Sequence, residues 1–298
     1  MPEQARTPLP RFTHVAVATD FSAGSEAALS RAAELPLSPR ARITVVHVLP
    51  DRLPRDLHRT AERQAQEQLD AVTGRLERAL QAQGRSGVFV SSVLSEGSSY
   101  GAILAAVKSV AAQLLVVGRH GPRPLRDMFI GSTAERVVRV GAVPVLVVKE
   151  PPRGAYARPL VAVDLGEGSR AVTELAQRVL EPDVEATLLH AARVPYELLL
   201  GKAAAARARD EAARRADLEL AGLARDAGGF SPTVMPGDPR AVILSLAARR
   251  RADLIVVGSH EGTSLGAALL GSTAERVLER ASCDVLVGRQ DRTRTGRR

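Results

Sequence analysis

The chain contains itself twice. Residues 114–148, LLVVGRHGPRPLRDMFIGSTAERVVRVGAVPVLVV, align without a gap on residues 254–288, LIVVGSHEGTSLGAALLGSTAERVLERASCDVLVG, at an offset of 140, and the run GSTAERV is identical in both. Earlier landmarks keep nearly the same spacing: Asp20 matches Asp164 at 144, His47 matches His190 at 143, and Gly97 matches Gly237 at 140. The second copy has therefore lost about one residue before its second strand and about three around its longest helix. A duplicated unit of about 145 residues is a domain, too long for a solenoid repeat. The 298 residues divide into a first domain at 1–149, a linker at 150–158 containing Pro151, Pro152 and Gly154, a second domain at 159–289 and a basic tail at 290–298.

Each copy alternates two patterns. In the first, residues 14–19, 43–48, 88–94, 114–118 and 143–148 are short runs rich in Val, Ile and Leu. Continuous apolar runs of this length indicate strands buried on both faces. Between them, residues 22–35, 56–83, 98–111 and 132–140 have helical character, with Ser22 and Ser132 placed as N-caps and Glu26 and Glu135 in the first turns. The second copy repeats this, with strands near Leu160, Thr187, Thr233, Ile255 and Val285. Strand–helix alternation predicts an α/β fold: two tandem, doubly wound, five-stranded parallel-sheet domains with right-handed crossovers. A sheet ending in VPVLVV leaves an apolar edge, an aggregation hazard if unpaired.

Ligands of open parallel sheets bind beyond the carboxyl ends of the strands, where strand order reverses. Two features converge there. The first strand ends in Thr19-Asp20, and the fourth ends in Gly118, followed by the loop RHGPRPLRDMFI and then Gly131-Ser132-Thr133 at the head of a helix. Glycines at 118, 121 and 131 allow close backbone approach, and a helix N-terminus supplies unpaired N–H donors and positive partial charge. Arg119, Arg123 and Arg126 add cationic charge. The combination fits a polyphosphate.

The spacing G-x2-G-x9-G-[ST], filled by Gly118, Gly121, Gly131 and Ser132, resembles the ATP loop of the universal stress protein family. The opening VAVATDFS, the pair His47-Val48 and the closing VPVLVV are similar to that family too, and the resemblance covers 13–148 and 159–288. It implies a Rossmann-like domain of the adenine nucleotide α-hydrolase type. It implies adenine contacts from Ala18, Asp20, Val48 and Val117, and phosphate and ribose contacts from Gly118, Gly121, Gly131, Ser132 and Thr133. Thr19, Arg119 and His120 complete the expected nucleotide-binding set. The implied ligand is ATP, with Mg2+ or Mn2+ held by its phosphates, used mainly as a structural or regulatory ligand in a stress response. Family members pair their last strands, so residues 143–148 are expected to pair with 283–288 inside one chain as an internal pseudo-dimer. Further association into a homodimer is left open.

The second copy keeps Asp164, Gly258, Gly271, Ser272 and Thr273, but Glu261 replaces Gly121 and a glycine follows at Gly262. Arg119, Arg123 and Arg126 become Ser259, Thr263 and Gly266. These residues form a second, weaker expected site.

Other signals carry less. Gly166-x-Gly168-x-x-Ala171 follows a strand, but the next strand ends in His190-Ala191 and not in the acidic residue that a dinucleotide fold places on its ribose. No G-x4-G-K-[ST] occurs, the six histidines show no metal-ligand spacing, and no nucleophile–base–acid set is readable. No catalytic residue is assigned. The alternatives to a binder are a slow ATPase or an enzyme autophosphorylated at Ser132 or Thr133, and a nucleotide-free interaction scaffold. The single cysteine, Cys283, replaces Val143 and suits a buried apolar role and a reducing cytoplasm. No signal peptide is visible, and the most apolar stretch, 101–118, is broken by Lys108 and Gln113, so no membrane segment is expected. The net charge of +8 includes +4 from the last ten residues, which hold five arginines and one aspartate. With aromatics at 3% and only three lysines, the basic excess is assigned to composition and a solvated tail, and nucleic-acid binding is not expected.

A carboxylate within a few ångströms of a triphosphate repels it by about 1 kcal/mol or more. Glu261→Gly is therefore expected to raise the number of ATP molecules bound per chain, measured by calorimetry; an unchanged count assigns the weakness of the second site to another cause.

Overall fold

The computed structural model describes residues 9–51, 54–119, 130–193, 202–259 and 270–289. The first half runs β1 (His14–Ala18), α1 (Ala23–Glu34), β2 (Arg42–Leu49), α2 (Arg55–Ala82), β3 (Phe89–Glu96), α3 (Ser99–Ser109), β4 (Leu114–Gly118), α4 (Ser132–Val140) and β5 (Val145–Val148). The second runs β6 (Pro159–Val163), α5 (Ser169–Val179), β7 (Ala186–Ala192), α6 (Lys202–Ala227), β8 (Phe230–Pro236), α7 (Pro239–Arg250), β9 (Leu254–Gly258), α8 (Ser272–Arg280) and β10 (Asp284–Gly288). The expected strands and helices of the first half appear within one or two residues of their expected limits. One cap differs: Ser22 caps α1 by accepting from Ser25 N, whereas α4 is capped by Gly131 and Ser132 is its first helical residue. Gly131 is held out of the helix because its N–H donates to Arg119 O at 2.8 Å.

All ten strands form one sheet in the order β3-β2-β1-β4-β5-β10-β9-β6-β7-β8. Within each half the pairs are parallel; β5 and β10 are antiparallel, with Val145 opposite Val287, Leu146 opposite Leu286 and Val147 opposite Val285. Leu286 is Leu146 shifted by the repeat offset, so a pseudo-two-fold axis passes between these two residues. Successive strand residues face opposite sides. Val15, Val17, Leu146 and Leu286 enter a core covered by α1, α2, α5 and α6, whereas Ala16, Val145, Val147, Val285 and Val287 enter a core covered by α3, α4, α7 and α8. Both cores are continuous across the two halves. No helix among the described residues is long and apolar enough to cross a membrane.

The symmetry is broken at one buried carboxylate. Asp284 opens β10, where the first half has Pro144, and is 3% exposed. Its Oδ2 accepts from Arg31 Nε at 3.1 Å and Tyr156 Oη at 2.8 Å, and its Oδ1 from the Lys149 N–H at 2.9 Å. The Arg31 guanidinium also lies 4.0 Å from the Tyr156 ring centre and donates to Gly154 O at 2.8 Å. Helix α1, the connecting segment and β10 thus meet on one group, and the connection is built into the interface. Burial pushes the Asp284 carboxyl up, against the pull of the Lys149 N–H and Arg31; burial and the adjacent Asp284 push the Tyr156 hydroxyl well up. Cys283 beside it is pushed up to about 12 by burial and by Asp284, which keeps it a thiol.

Arg31→Leu, matching its counterpart Leu175, leaves Asp284 buried without its cation. A loss of about 3–5 kcal/mol is expected, read as a lower urea midpoint; an unchanged midpoint would remove the ion pair from the account of domain docking.

Candidate functional site

In each half the chain winds outward from the first strand in one direction and then returns to the other side, so β1 and β4 flank one switch point and β6 and β9 the other. Because β5 and β10 are antiparallel, the two switch points open at opposite edges of the sheet.

At the first, β2, β1 and β4 present Val48, Ala18 and Val117 on the face covered by α3 and α4. Val117 is 4% exposed and serves the core, whereas Ala18 and Val48 are half-buried at the rim. Ala162, Ala191 and Val257 repeat the arrangement at the second switch point.

The turn from β1 to α1 is tightly built. Thr19 is buried: its N–H donates to Val46 O at 2.9 Å, its hydroxyl donates to Ser25 Oγ at 3.1 Å and accepts from Phe21 N at 3.0 Å. Its side chain is thus committed to the turn. Asp20 is exposed, and its Oδ1 accepts from the Ser22 N–H at 3.1 Å and the Ser22 hydroxyl at 2.6 Å. Phe21 sits at φ 62, a left-handed conformation that costs a residue with a Cβ about 1 kcal/mol or more. Its ring centre lies 4.3 Å from that of His47, and His47 Nδ1–H donates to Thr19 O at 2.8 Å. The second half repeats the turn: Leu165 has φ 62, Asp164 Oδ1 accepts from Gly166 N at 2.9 Å and Ser169 Oγ at 3.1 Å, and His190 Nδ1–H donates to Val163 O at 3.0 Å. The sequence marks these histidines only by their equivalent strand ends. Folding makes them the props of the carbonyl that precedes each aspartate.

Gly118 has a steric reason to be glycine. A Cβ there would fall on the Gly24 carbonyl and lie 2.9 Å from the Ser25 N, because the first turn of α1 crosses the end of β4. Gly258 is less constrained, with only Val172 Cγ2 at 3.4 Å from a Cβ. Beyond Gly118, Arg119 N donates to Val148 O at 2.8 Å and Arg119 O accepts from Gly131 N at 2.8 Å, which ties both ends of the loop together. Ser259 and Gly271 repeat this with bonds of 3.0 Å to Gly288 O and 2.7 Å between them. Helix α4 starts at Gly131, φ −63 and ψ 145, without a side-chain cap; Ser132 is exposed and Thr133 half-buried in its first turn. Gly271 likewise begins α8 with no side-chain cap, ahead of Ser272 and Thr273. His120 and Gly121, with Arg123 and Arg126, and Glu261 and Gly262 lie outside the described residues. The structure thus brings Ala18, Asp20, Val48, Gly118, Arg119, Gly131, Ser132 and Thr133 to one switch point, while Thr19 and Val117 serve the turn and the core.

The sequence profile of the universal stress protein family matches residues 11–149 and again residues 155–289. The chain belongs to the universal stress protein family. Universal stress protein MJ0531 of Methanocaldococcus jannaschii is 46% identical over 54 residues, 18% of this chain and 32% of that protein. The matched segments span a third or less of such curated relatives, down to 20% for universal stress protein E of Escherichia coli. The crystal structure of a universal stress protein from Archaeoglobus fulgidus superposes with a TM-score of 0.68 at 20% identity, covering 94% of this chain and 97% of that one. A universal stress protein solved in complex with cAMP is 25% identical over 45% of this chain and 97% of its own, with a TM-score of 0.32.

Gly118→Ala is expected to cost about 1–3 kcal/mol by overpacking against the α1 backbone, and Gly258→Ala less than about 1 kcal/mol, since a methyl group can yield there. Thermal unfolding of the two variants compares them; equal losses would contradict the close approach at Gly118.

Proposed function

We propose that this universal stress protein binds an adenine nucleotide, ATP, at the β1/β4 switch point of its first half, as a ligand of the folded state and not as a substrate turned over. The reading is carried by the head of α4 at Gly131, which Arg119 ties to the end of β4, beside the β1 end where Asp20 is presented. The half-buried Ala18 and Val48 offer an apolar rim for the base. Asp20, held on a strained turn, offers a carboxylate acceptor to base or ribose donors. The head of α4 offers positive partial charge to phosphates. A divalent ion, Mg2+ or Mn2+, would arrive with those phosphates.

The state of Asp20 favours a ligand over a substrate. Its Oδ1 already takes two hydrogen bonds from Ser22, the arrangement of a group that orients rather than one that removes a proton. Binding to the folded state alone stabilises a protein by about 2.7 kcal/mol at a hundredfold excess over Kd, so nucleotide level becomes conformational stability. Such linkage gives a stress signal a physical basis.

Gly131 has backbone angles that any residue adopts, so Gly131→Val tests space and not backbone strain. Calorimetry with ATP is expected to show about a hundredfold weaker binding for Gly131→Val and about tenfold for Asp20→Ala, the latter worth about 1.4 kcal/mol. Unchanged affinity in both variants would overturn the assignment. Steady release of γ-phosphate by the wild type would favour an enzyme instead.

A further inference from the structure

The two switch points lie at opposite edges of the sheet, yet a closed ring of hydrogen bonds joins them. Starting at the head of α4, Gly131 N donates to Arg119 O and Arg119 N to Val148 O, both at 2.8 Å. The next residue, Lys149, crosses the pseudo-two-fold axis: its ammonium donates to Leu278 O at 2.5 Å, in the last turn of α8, and to O of its C-cap Ala281 at 2.8 Å. The head of α8 is the second switch point, where Gly271 N donates to Ser259 O at 2.7 Å and Ser259 N to Gly288 O at 3.0 Å. The residue after Gly288 is Arg289, whose Nη2 donates to Val138 O at the foot of α4. The ring then returns to Gly131.

Apart from the bond of Lys149 to Ala281 O, the links recur at the repeat offset: 119 with 259, 131 with 271, 138 with 278, 148 with 288 and 149 with 289. The side chains have diverged, from Arg to Ser, Val to Gly and Lys to Arg, but the bonds have not. Each last helix therefore has its head at one site and its foot held by a cation that follows the loop base of the other. Both helices have only 9 residues, about 13.5 Å at 1.5 Å per residue, so their two ends are not independent. An anion at the head and a cation at the foot favour the same dipole.

We propose that the two switch points are coupled through this ring, so that nucleotide bound at the first tightens α8 and with it the second. The proposal rests on the nucleotide reading of the first site. The sign follows from charge. Burial, and then the Arg119 guanidinium, pull the Lys149 ammonium down to about 8, while Cys283 and Asp284 oppose them. Phosphates beside Arg119 offset its repulsion and strengthen the grip of Lys149 on the foot of α8. The coupling is then positive and, by linkage, reciprocal.

The test uses the full chain carrying Gly271→Val, which obstructs the second site so that any effect on α8 originates at the first. Hydrogen–deuterium exchange of residues 272–281 is followed with and without saturating ATP, and calorimetry on the same samples measures binding. ATP is expected to slow exchange of α8 about fivefold, the lower end of ordinary allosteric coupling. Adding Lys149→Met should abolish that protection without abolishing binding, and Lys149→Arg should retain it, which separates loss of the cap from loss of the fold. Binding with unchanged exchange of α8 would overturn the coupling and leave the nucleotide site standing. Protection that survives Lys149→Met would overturn the route through Lys149. Absence of ATP binding would remove both the coupling and the reading beneath it.

Discussion

Backbone N–H and C=O groups at the edge of a sheet must find partners, and the need is greatest where the edge strand is apolar on both faces. Strand β5 is such a strand, with all four of its residues buried. It is satisfied by its own repeat, β10, running antiparallel with Leu146 against Leu286. The rest of the architecture depends on this seam. It turns two five-stranded sheets into one of ten, lets both helical layers share continuous cores, and sends the two switch points to opposite edges. It also brings the foot of each last helix within reach of Lys149 or Arg289.

The seam is symmetric in its backbone and asymmetric in its charge. The first half supplies Arg31 and Pro144 where the second supplies Leu175 and Asp284. A buried ion pair adds little net stability over an apolar pair, but losing one partner is costly. Its effect here is to give the seam a direction: α1, Tyr156 and β10 converge on Asp284, an arrangement with no mirror image at Pro144. A duplicated chain can diverge in this way because its halves need not remain self-complementary, as the subunits of a homodimer must.

Around the candidate site, conformational strain and steric closeness take the place of bulk. Phe21 and Leu165 hold equal left-handed angles, and His47 and His190 hold equal carbonyls, although the neighbouring sequence differs. The retained geometry places an exposed carboxylate at the end of each first strand. What differs is the margin: Gly118 is pressed by the backbone of α1, and Gly258 only by the tip of Val172. The two sites are therefore built to one plan with unequal tolerance for change.

The repeat and the alternation of apolar runs made the fold legible in the sequence, because hydrophobic period and length specify strand or helix locally. Ala18, Asp20, Gly118, Gly131 and Ser132 were legible as a group because a strand end followed by glycine and a helix head has few uses. Other features were not legible, because they depend on atoms distant along the chain. Ser132 gave way to Gly131 as the cap of α4 because the Arg119 carbonyl takes the Gly131 N–H. Val117 went to the core beneath α3 and α4, and Thr19 to the turn because Ser25 and Phe21 take its hydroxyl. The roles of Arg31, Lys149, Tyr156 and Asp284 arise only after the two halves meet, since their partners lie 123 to 253 residues away. Sequence by itself determined two domains, their strands and helices, and the neighbourhood of the candidate site, all set by local period and spacing. Tertiary structure alone decided which polar groups are buried against one another across the seam, because burial and charge pairing are properties of a surface that exists only once both halves have folded.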